Sequence, residues 1–445
     1  MNTECTPEAI EFHGLGRRQV IGEFNGGNLS SDGGVVLLRE LEKRLPVMKR
    51  LAACFTDFRD PERIEHDVIA LLRQRIYAIA LGYEDLNDHD ALRHDPLLAV
   101  ACDKADPEGQ DRHREQDRGK ALAGKSTLNR MELGDPARAQ ADRYKRIIAD
   151  GGLIDALMVD LFVESHDRPP AQIILDVDAT DDPVHGNQEG RFFHGYYKAY
   201  CYLPLYIFCG EQLLCARLRR ADQDGAAGAV EELERIVGRM RQSWPKVRII
   251  LRGDSGFCRD QIMRWCEQHQ VDYVLGLAKN SRLNQILAPE QEKAAMLYQQ
   301  SGRAVRVFKD FDYRTRDSWS ATRRVIGKAE HLAMGANPRF IVTSLRRDQI
   351  RGRLLYERIY CARGNMENRI KEQQLDLFAD RTSSHGMAAN QLRLYFSSFA
   401  YILLQSLRRI GLRGTPLEKG LVMRVVAEMR RKQRSIDLGR IGNAV

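Results

Sequence analysis

Apolar residues recur at helical spacing through most of the first third of the chain, and then the period changes. Val35 opens VVLLRELEKRL, where apolar positions return every three or four residues, as in a helix with one buried face. Ahead of it RQVIGEF reads as a short strand and NGGNLSSDGG as a turn, with Ser30, Ser31 or Asp32 placed to start the helix. ERIEHDVIALLRQRIYAIALGY, residues 62–83, predicts a long apolar helix, and Asn87 and Asp88 open a shorter one. Residues 103–120 are polar and charge-dense and read as an exposed loop. A further helix is predicted over 136–165, which makes residues 1–165 mostly helical.

Beyond Pro169 the pattern is that of an α/β fold. IILDVD reads as a buried strand; YYKAYCYLPLYIFC (196–209) and EQLLCARLRR (211–220) read as two more, turning at Gly210. Pro204 cannot donate to a ladder, so it predicts a bulge or an edge within the first of these. A helix over 226–244 stops before Pro245, VRIILRGD is a strand, RDQIMRWCEQHQ a helix, and VDYVLGL (271–277) a strand. Residues 166–283 thus form one α/β block. Within 284–350 the stretches RAVRVFKDFDY, WSATRRVIGKAEHL and PRFIVTSL read as β, which predicts a β-rich insertion. Helix returns over 351–412, and residues 413–445 read as a basic amphipathic helix from Leu417.

The 445 residues exceed what one compact core usually organises. The net charge of +8 suits a polyanionic partner without demanding one. From Arg408 to Val445 ten Lys or Arg stand against three acids, leaving this end at +7. Nine cysteines, an odd number with no CxxC pair, argue against a zinc site or a disulfide framework and point to a reducing, cytoplasmic setting. MNTECTPEAIEF lacks the basic and apolar regions of a secretory signal, and no stretch approaches eighteen uninterrupted apolar residues, so no membrane span is predicted.

Three acids change the picture. Asp178 ends the apolar run IILDVD, Asp254 ends VRIILRGD, and Glu367 lies in YCARGNMENRIKE at the start of a helix. Two strand-end aspartates and a helix glutamate suit a two-metal phosphoryl-transfer site, in which two divalent cations about 3.5–4 Å apart clamp the attacking and leaving oxygens. An all-oxygen donor set favours Mg2+, with Mn2+ as the alternative, two ions per site. Asp176 shares a strand face with Asp178 and is a candidate supporting acid, whereas Asp181 and Asp182 read as loop residues. His185 is either near the first metal or a turn residue.

RGDSGF, YCARGNMENRIKE (Tyr360, two residues, Arg363, three residues, Glu367) and LDVDATDDPVHGNQEG together resemble the DDE transposases of bacterial insertion sequences. The pattern is most similar to the thirteen-eighty family within the Tyr-Arg-Glu signature group. The resemblance implies an RNase H-like catalytic core with a β-rich insertion between the second and third acids. The intervals of 76 residues (254 − 178) and 113 residues (367 − 254) accommodate it. It also implies Asp178, Asp254 and Glu367 as catalytic metal ligands, and double-stranded DNA as substrate, both inverted repeats and target. A homodimer on paired ends and a nucleoid-associated location in a bacterial cytoplasm follow from the same resemblance. One departure is Gln374, where the wider group often carries Lys seven residues after the Glu; Lys371 is the nearest alternative.

Further DNA contacts are candidates only. Arg363 shares a helix face with Glu367, as a phosphate clamp or as a plain ion-pair partner. Tyr360 either touches phosphate or packs, and Lys371 either touches DNA or pairs with Glu367. Trp319 either stacks on an unpaired base or fills the insertion's core. Arg430, Arg431, Lys432 and Arg434 either track backbone phosphates or form a solvated face. Residues 1–165 are the candidate reader of transposon ends.

Overall fold

The computed structural model describes residues 9–15, 18–23, 32–135 and 142–431. Its centre is one large mixed sheet, whose eight principal strands we number in chain order. They are β1 (Gln172–Ala179), β2 (Leu205–Cys209), β3 (Gln212–Arg217), β4 (Arg248–Gly253), β5 (Val271–Leu277), β6 (Val305–Tyr313), β7 (Arg323–Leu332) and β8 (Arg339–Thr343). The spatial order is β3-β2-β1-β4-β5-β8-β7-β6, with the two-residue strand Gly335–Ala336 beside β7. β2 runs antiparallel to both β3 and β1; β1, β4 and β5 are parallel; β8, β7 and β6 continue antiparallel from β5. The three β segments within 284–350 are therefore present, but they extend the central sheet instead of closing a sheet of their own. Between β5 and β6 runs the helix Ser281–Ser301, started by the Asn280 side chain accepting from the Leu283 amide.

Alternation along the strands sorts their side chains into two layers. Leu175 and Val177 of β1, Ile249 and Leu251 of β4, and Tyr273 and Leu275 of β5 point to one face. There they meet the apolar stripes of helices Gly151–Glu164, Ala229–Ser243 and Asp260–Gln268, through Phe162, Leu233, Ile236, Ile262 and Met263. Positions between them, such as Ile250 and Val274, face the helical stretch 352–376 through Leu355 and Tyr356. Beyond it the helix Met387–Ser406 is sandwiched between β2–β3 and the N-terminal helices, with Tyr206, Phe208, Tyr77, Phe396 and Tyr401 in one cluster.

Several sequence expectations are met with altered bounds. Helices span Val35–Arg44 and Val68–Ala80, the latter capped by Asp67. The helix predicted over 136–165 begins only at Gly151, where the Asp150 side chain accepts from the Leu153 amide. Before it Ile147–Ala149 is a strand paired with Phe55–Asp57; β-branched Ile147 and Ile148 favour that pairing over a helix. Residues 136–141 of that prediction lie outside the described residues. The run 196–209 is two strands, not one. Ala199–Tyr202 belongs to a three-stranded ribbon with Asp182–Pro183 and Phe192–His194, and the chain crosses to the central sheet at Pro204, which interrupts the ladder as its missing N–H requires.

The C-terminal helix spans Val422–Arg431, starting later than Leu417. It buries Val422, Val425 and Met429, packing on the stretch Glu372–Asp376 and the helix Met387–Ser406, while at Met429 Gly34 approaches so closely that an added Cβ would lie 2.4 Å from the Met429 Cβ. No helix among the described residues is long and apolar enough to cross a membrane, and the eight described cysteines are free thiols.

Candidate active site

The register of two strands brings the aspartates together. β1 and β4 run parallel with Val177 opposite Gly253, so Asp178 and Asp254 follow side by side at the carboxyl ends of adjacent strands. The sequence RGDSGF builds the second of these ends. Asp254 caps the short turn Ser255–Phe257, its Oδ1 accepting from the Gly256 amide at 2.8 Å. Gly253 leaves room for that turn to fold back: a Cβ there would sit 2.9 Å from a Val177 methyl and 3.2 Å from the Phe257 Cβ. On β1, Asp178 Oδ1 accepts from the Ala179 amide at 2.9 Å, which leaves Oδ2 for a second partner.

Glu367 arrives from a helical stretch of irregular pitch. Wide π turns at Leu355–Tyr360 and Glu372–Asp376 flank a tight turn at Cys361–Arg363 and the α-helix Gly364–Lys371. Such changes of pitch are common at functional sites because they re-aim side chains. Here Tyr360, Arg363 and Glu367 share one face. Arg363 bridges two acids: Nη1 donates to Asp178 Oδ2 at 3.0 Å and Nη2 to Glu367 Oε1 at 2.7 Å. Burial pushes the Asp178 carboxyl up to about 6, and the charges of Asp254 and Glu367 add to the push against the pull of Arg363. Burial disfavours the Arg363 charge, but Asp178, Tyr360, Glu367 and Asp254 outweigh it and hold the guanidinium more firmly protonated than usual.

Tyr360 lies against the second aspartate. A Cβ on Gly276 of β5 would come within 2.6 Å of the Tyr360 hydroxyl and 2.8 Å of the Ser255 amide nitrogen, so only glycine leaves room for this approach. Burial raises the Tyr360 pKa, Arg363 opposes the shift and Asp254 adds to it.

Asp176 is committed elsewhere. Opposite it in register, Arg252 donates twice to its carboxylate, at 2.5 and 2.7 Å, and once at 2.5 Å to the Ile359 carbonyl, the residue before Tyr360. This buried fork ties both aspartate strands to the Glu367 helix. Arg252 escaped the sequence reading, although it stands two residues before Asp254 as Asp176 stands before Asp178. Tyr197 escaped it too. Burial pushes its hydroxyl up to about 12, with the charges of Asp181 and Asp178 contributing. Its signal was the aromatic density of FFHGYYKAY, whose Phe193, Tyr196 and Tyr200 are exposed.

The remaining candidates fall in different places. Lys371 is exposed and has no ion-pair partner among the described residues; Glu367 is paired with Arg363 instead. Gln374 donates to the Asp181 carbonyl at 3.0 Å, fastening the helix to the loop after Asp178. His185 is exposed in that loop. Asp182, read from the sequence as a loop residue, is fully buried in the ribbon and hydrogen-bonded to Thr382; burial, with Asp380 nearby, keeps its carboxyl protonated far above the usual range. Trp319 is only 4 % exposed, edge-on to Tyr313 at 5.8 Å with Arg323 over its ring, so no face is open to a base in this arrangement. Arg430 and Arg431 end the last helix, but their side chains, with Lys432 and Arg434, lie outside the described residues.

Among the described residues no three His, Cys, Asp or Glu side chains are gathered closely enough to hold one cation. The guanidinium of Arg363 stands between Asp178 and Glu367 and pairs with both. The donor set itself is all oxygen, as a hard divalent ion prefers.

No curated protein matches the chain. The sequence model of the transposase DDE domain, group 1, matches residues 12–429, which includes both aspartates, the glutamate and every strand of the central sheet. The chain belongs to the DDE-domain transposases of that group.

Proposed function

We propose that the protein cuts DNA at the ends of an insertion sequence and joins the freed 3′-hydroxyls to target DNA, with Asp178, Asp254 and Glu367 as the reacting site. The observation that carries this reading is the convergence of Asp178 and Asp254 at adjacent parallel strand ends, with Glu367 linked to Asp178 through Arg363. The order β3-β2-β1-β4-β5, with the first three antiparallel and the last three parallel, supports an RNase H-like core, and β6–β8 are then the β-rich insertion between second and third acids.

Asp178, Asp254 and Glu367 would hold divalent Mg2+ or Mn2+. Bound there, the metal would lower the pKa of the attacking water or 3′-hydroxyl and neutralise charge on the leaving oxygen. The protein's own part is positioning. Arg252 fixes the two aspartate strands against the helix, and Gly276 seats Tyr360 beside Asp254. Arg363 balances the acids in the DNA-free protein, and on release from them its fork suits a phosphate of the bound strand. Lys371, unpaired one turn beyond Glu367, would meet the backbone next.

The test uses the DNA flanking the gene. Wild-type protein should nick that duplex with Mg2+ or Mn2+, give strand-transfer products with a target plasmid, and do neither in chelator. Cleavage without any joined product would make it a nuclease of this fold instead, and chelator-resistant cleavage would refute the metal site. Sedimentation of the end complex should show two copies of the chain.

A further inference from the structure

A second charged feature lies far along the chain from the acids, in the N-terminal region. The segments 59–66, 90–93, 112–124 and 143–147 and the helix Lys125–Glu132 line an open cleft of about 760 Å3. Ten Lys or Arg line it against five acids. Half of the ten are matched. Arg59, Arg63, Arg112, Lys120 and Lys125 face the carboxylates of Asp57, Asp60, Glu65, Asp117 and Asp90 respectively.

The other five, Arg93, Arg114, Arg130, Arg143 and Arg146, make no ion pair with any carboxylate among the described residues. Their placement is built. Gly124 leaves space for Arg93, whose Nη1 would be 2.9 Å from an added Cβ. The exposed ring of Tyr144 carries Arg130 at 4.5 Å and Arg143 at 5.1 Å, holding two guanidiniums in place through cation–π attraction. The Nε atoms of Arg93 and Arg146 are buried without a hydrogen-bond partner. Gly134 lets the helix end close on the strand, since a Cβ there would lie 2.0 Å from the Ile147 carbonyl oxygen.

Arg93 and Arg146 are drawn at longer range to Asp90 and Asp57, but the cleft still holds more arginines than acids, an excess that costs self-repulsion and is relieved by an anion. Apart from Tyr144, the apolar side chains lining the cleft are Leu122 and Ile147, so it offers no slot in which a nucleotide base would be buried. What fits is a ligand that presents several phosphates along an edge and keeps its bases elsewhere.

We propose that this cleft grips the sugar–phosphate backbone of duplex DNA through Arg93, Arg114, Arg130 and Arg143, as an anchoring site separate from the acids. The choice of DNA rests on the transposase reading; the cleft supplies affinity and register, and sequence is read by other groups. His66 fits this environment: burial, with Lys104, Arg112 and Arg59 around it, pushes its pKa down to about 3, so the imidazole stays neutral and its Nε2 accepts from Arg112 at 2.5 Å.

The test measures binding of the full chain to two labelled duplexes, one from the gene's flank and one random, across a salt series. Changing Arg93, Arg130 and Arg143 together to Gln should weaken both duplexes at least about tenfold at 0.1 M salt. It should also make the slope of log affinity against log salt shallower by roughly 0.9 for each phosphate that is no longer neutralised. Changing the same three to Lys should keep most of the slope. An unchanged slope, a weakening confined to one duplex, or tighter binding of single-stranded RNA of equal length would overturn the proposal. A measurement on unaltered protein guards against misfolded variants. Bound DNA should protect these arginines from phenylglyoxal, read by mass spectrometry, and equal modification with and without DNA would overturn the cleft. Failure of metal-dependent cleavage with protection intact would instead refute the catalytic reading alone.

Discussion

The two faces of strands β1 and β4 are written in alternate residues and do opposite things. On one face Leu175, Val177, Ile249 and Leu251 are fully buried among helix side chains. On the other Asp176, Asp178, Arg252 and Asp254 bring four charged groups to the carboxyl ends of two interior strands. Burial stabilises the first face and strains the second, as the raised carboxyl of Asp178 shows. The apolar face fixes register so firmly that the charged face can be held in place at a cost to stability, because a one-residue slip would exchange the two.

That contrast can be broken in four ways. The largest effect is expected at the reacting acids: Asp178→Ala, Asp254→Ala or Glu367→Ala should each lower metal-dependent cleavage by about ten-thousandfold, roughly 5.5 kcal/mol at the barrier. Gel shifts on the same proteins should show DNA binding kept. Next comes the fork behind them. Arg252→Ala leaves the buried Asp176 carboxylate without its partner and should cost about 3–5 kcal/mol in urea unfolding, whereas the double change Asp176→Leu, Arg252→Met should recover most of it. If single and double variants are equally unstable, the pair is not the cause.

On the apolar face Leu251→Ala should cost about 2–5 kcal/mol through the cavity it leaves, with cleavage per folded molecule close to wild type below the melting range. The smallest effect has the opposite sign. The folded state raises the Asp178 pKa from its ordinary 3.8 to about 6, so folded protein binds this proton more tightly than unfolded chain. The resulting stability is present below pH 4 and lost as pH rises through 6. Asp178→Asn has no such loss, so in chelator it should become more stable than wild type by about 1–3 kcal/mol above pH 6, with the gap closing near pH 4. Urea melts at pH 4.5 and 7.5 check the difference.

Much of this contrast was legible in the sequence, because strand periodicity and strand-end acids are local signals. IILDVD and VRIILRGD show both the apolar alternation and the charged ends, and the helix spacing of Arg363 and Glu367 makes their pairing predictable. What was not legible depended on residues distant in the chain. The Arg252–Asp176 fork needs the register of two strands 76 positions apart, and the seat for Tyr360 needs Gly276 on a third. The strand at Ile147–Ala149 was hidden because its partner, Phe55–Asp57, lies some ninety residues earlier. Trp319 carried an aromatic signal that does not distinguish a core residue from a base-stacking one; its burial follows from Tyr313 and Arg323. The N-terminal arginine cleft gathers residues from 59 to 147, and no single stretch of that region is conspicuously basic.

The central claim is that the charged face holds a divalent metal that acts on DNA. Metal ligation at one of these positions can be read directly by changing the ligand's softness. Asp254→Cys replaces an oxygen donor with a thiolate, which Mg2+ binds poorly and Mn2+ accepts more readily. Cleavage of the flanking duplex by this variant should vanish with Mg2+ and return in part with Mn2+, while Asp254→Ala stays inactive with both. Equal cleavage by Asp254→Cys in the two metals, or rescue of Asp254→Ala by Mn2+, would contradict the assignment.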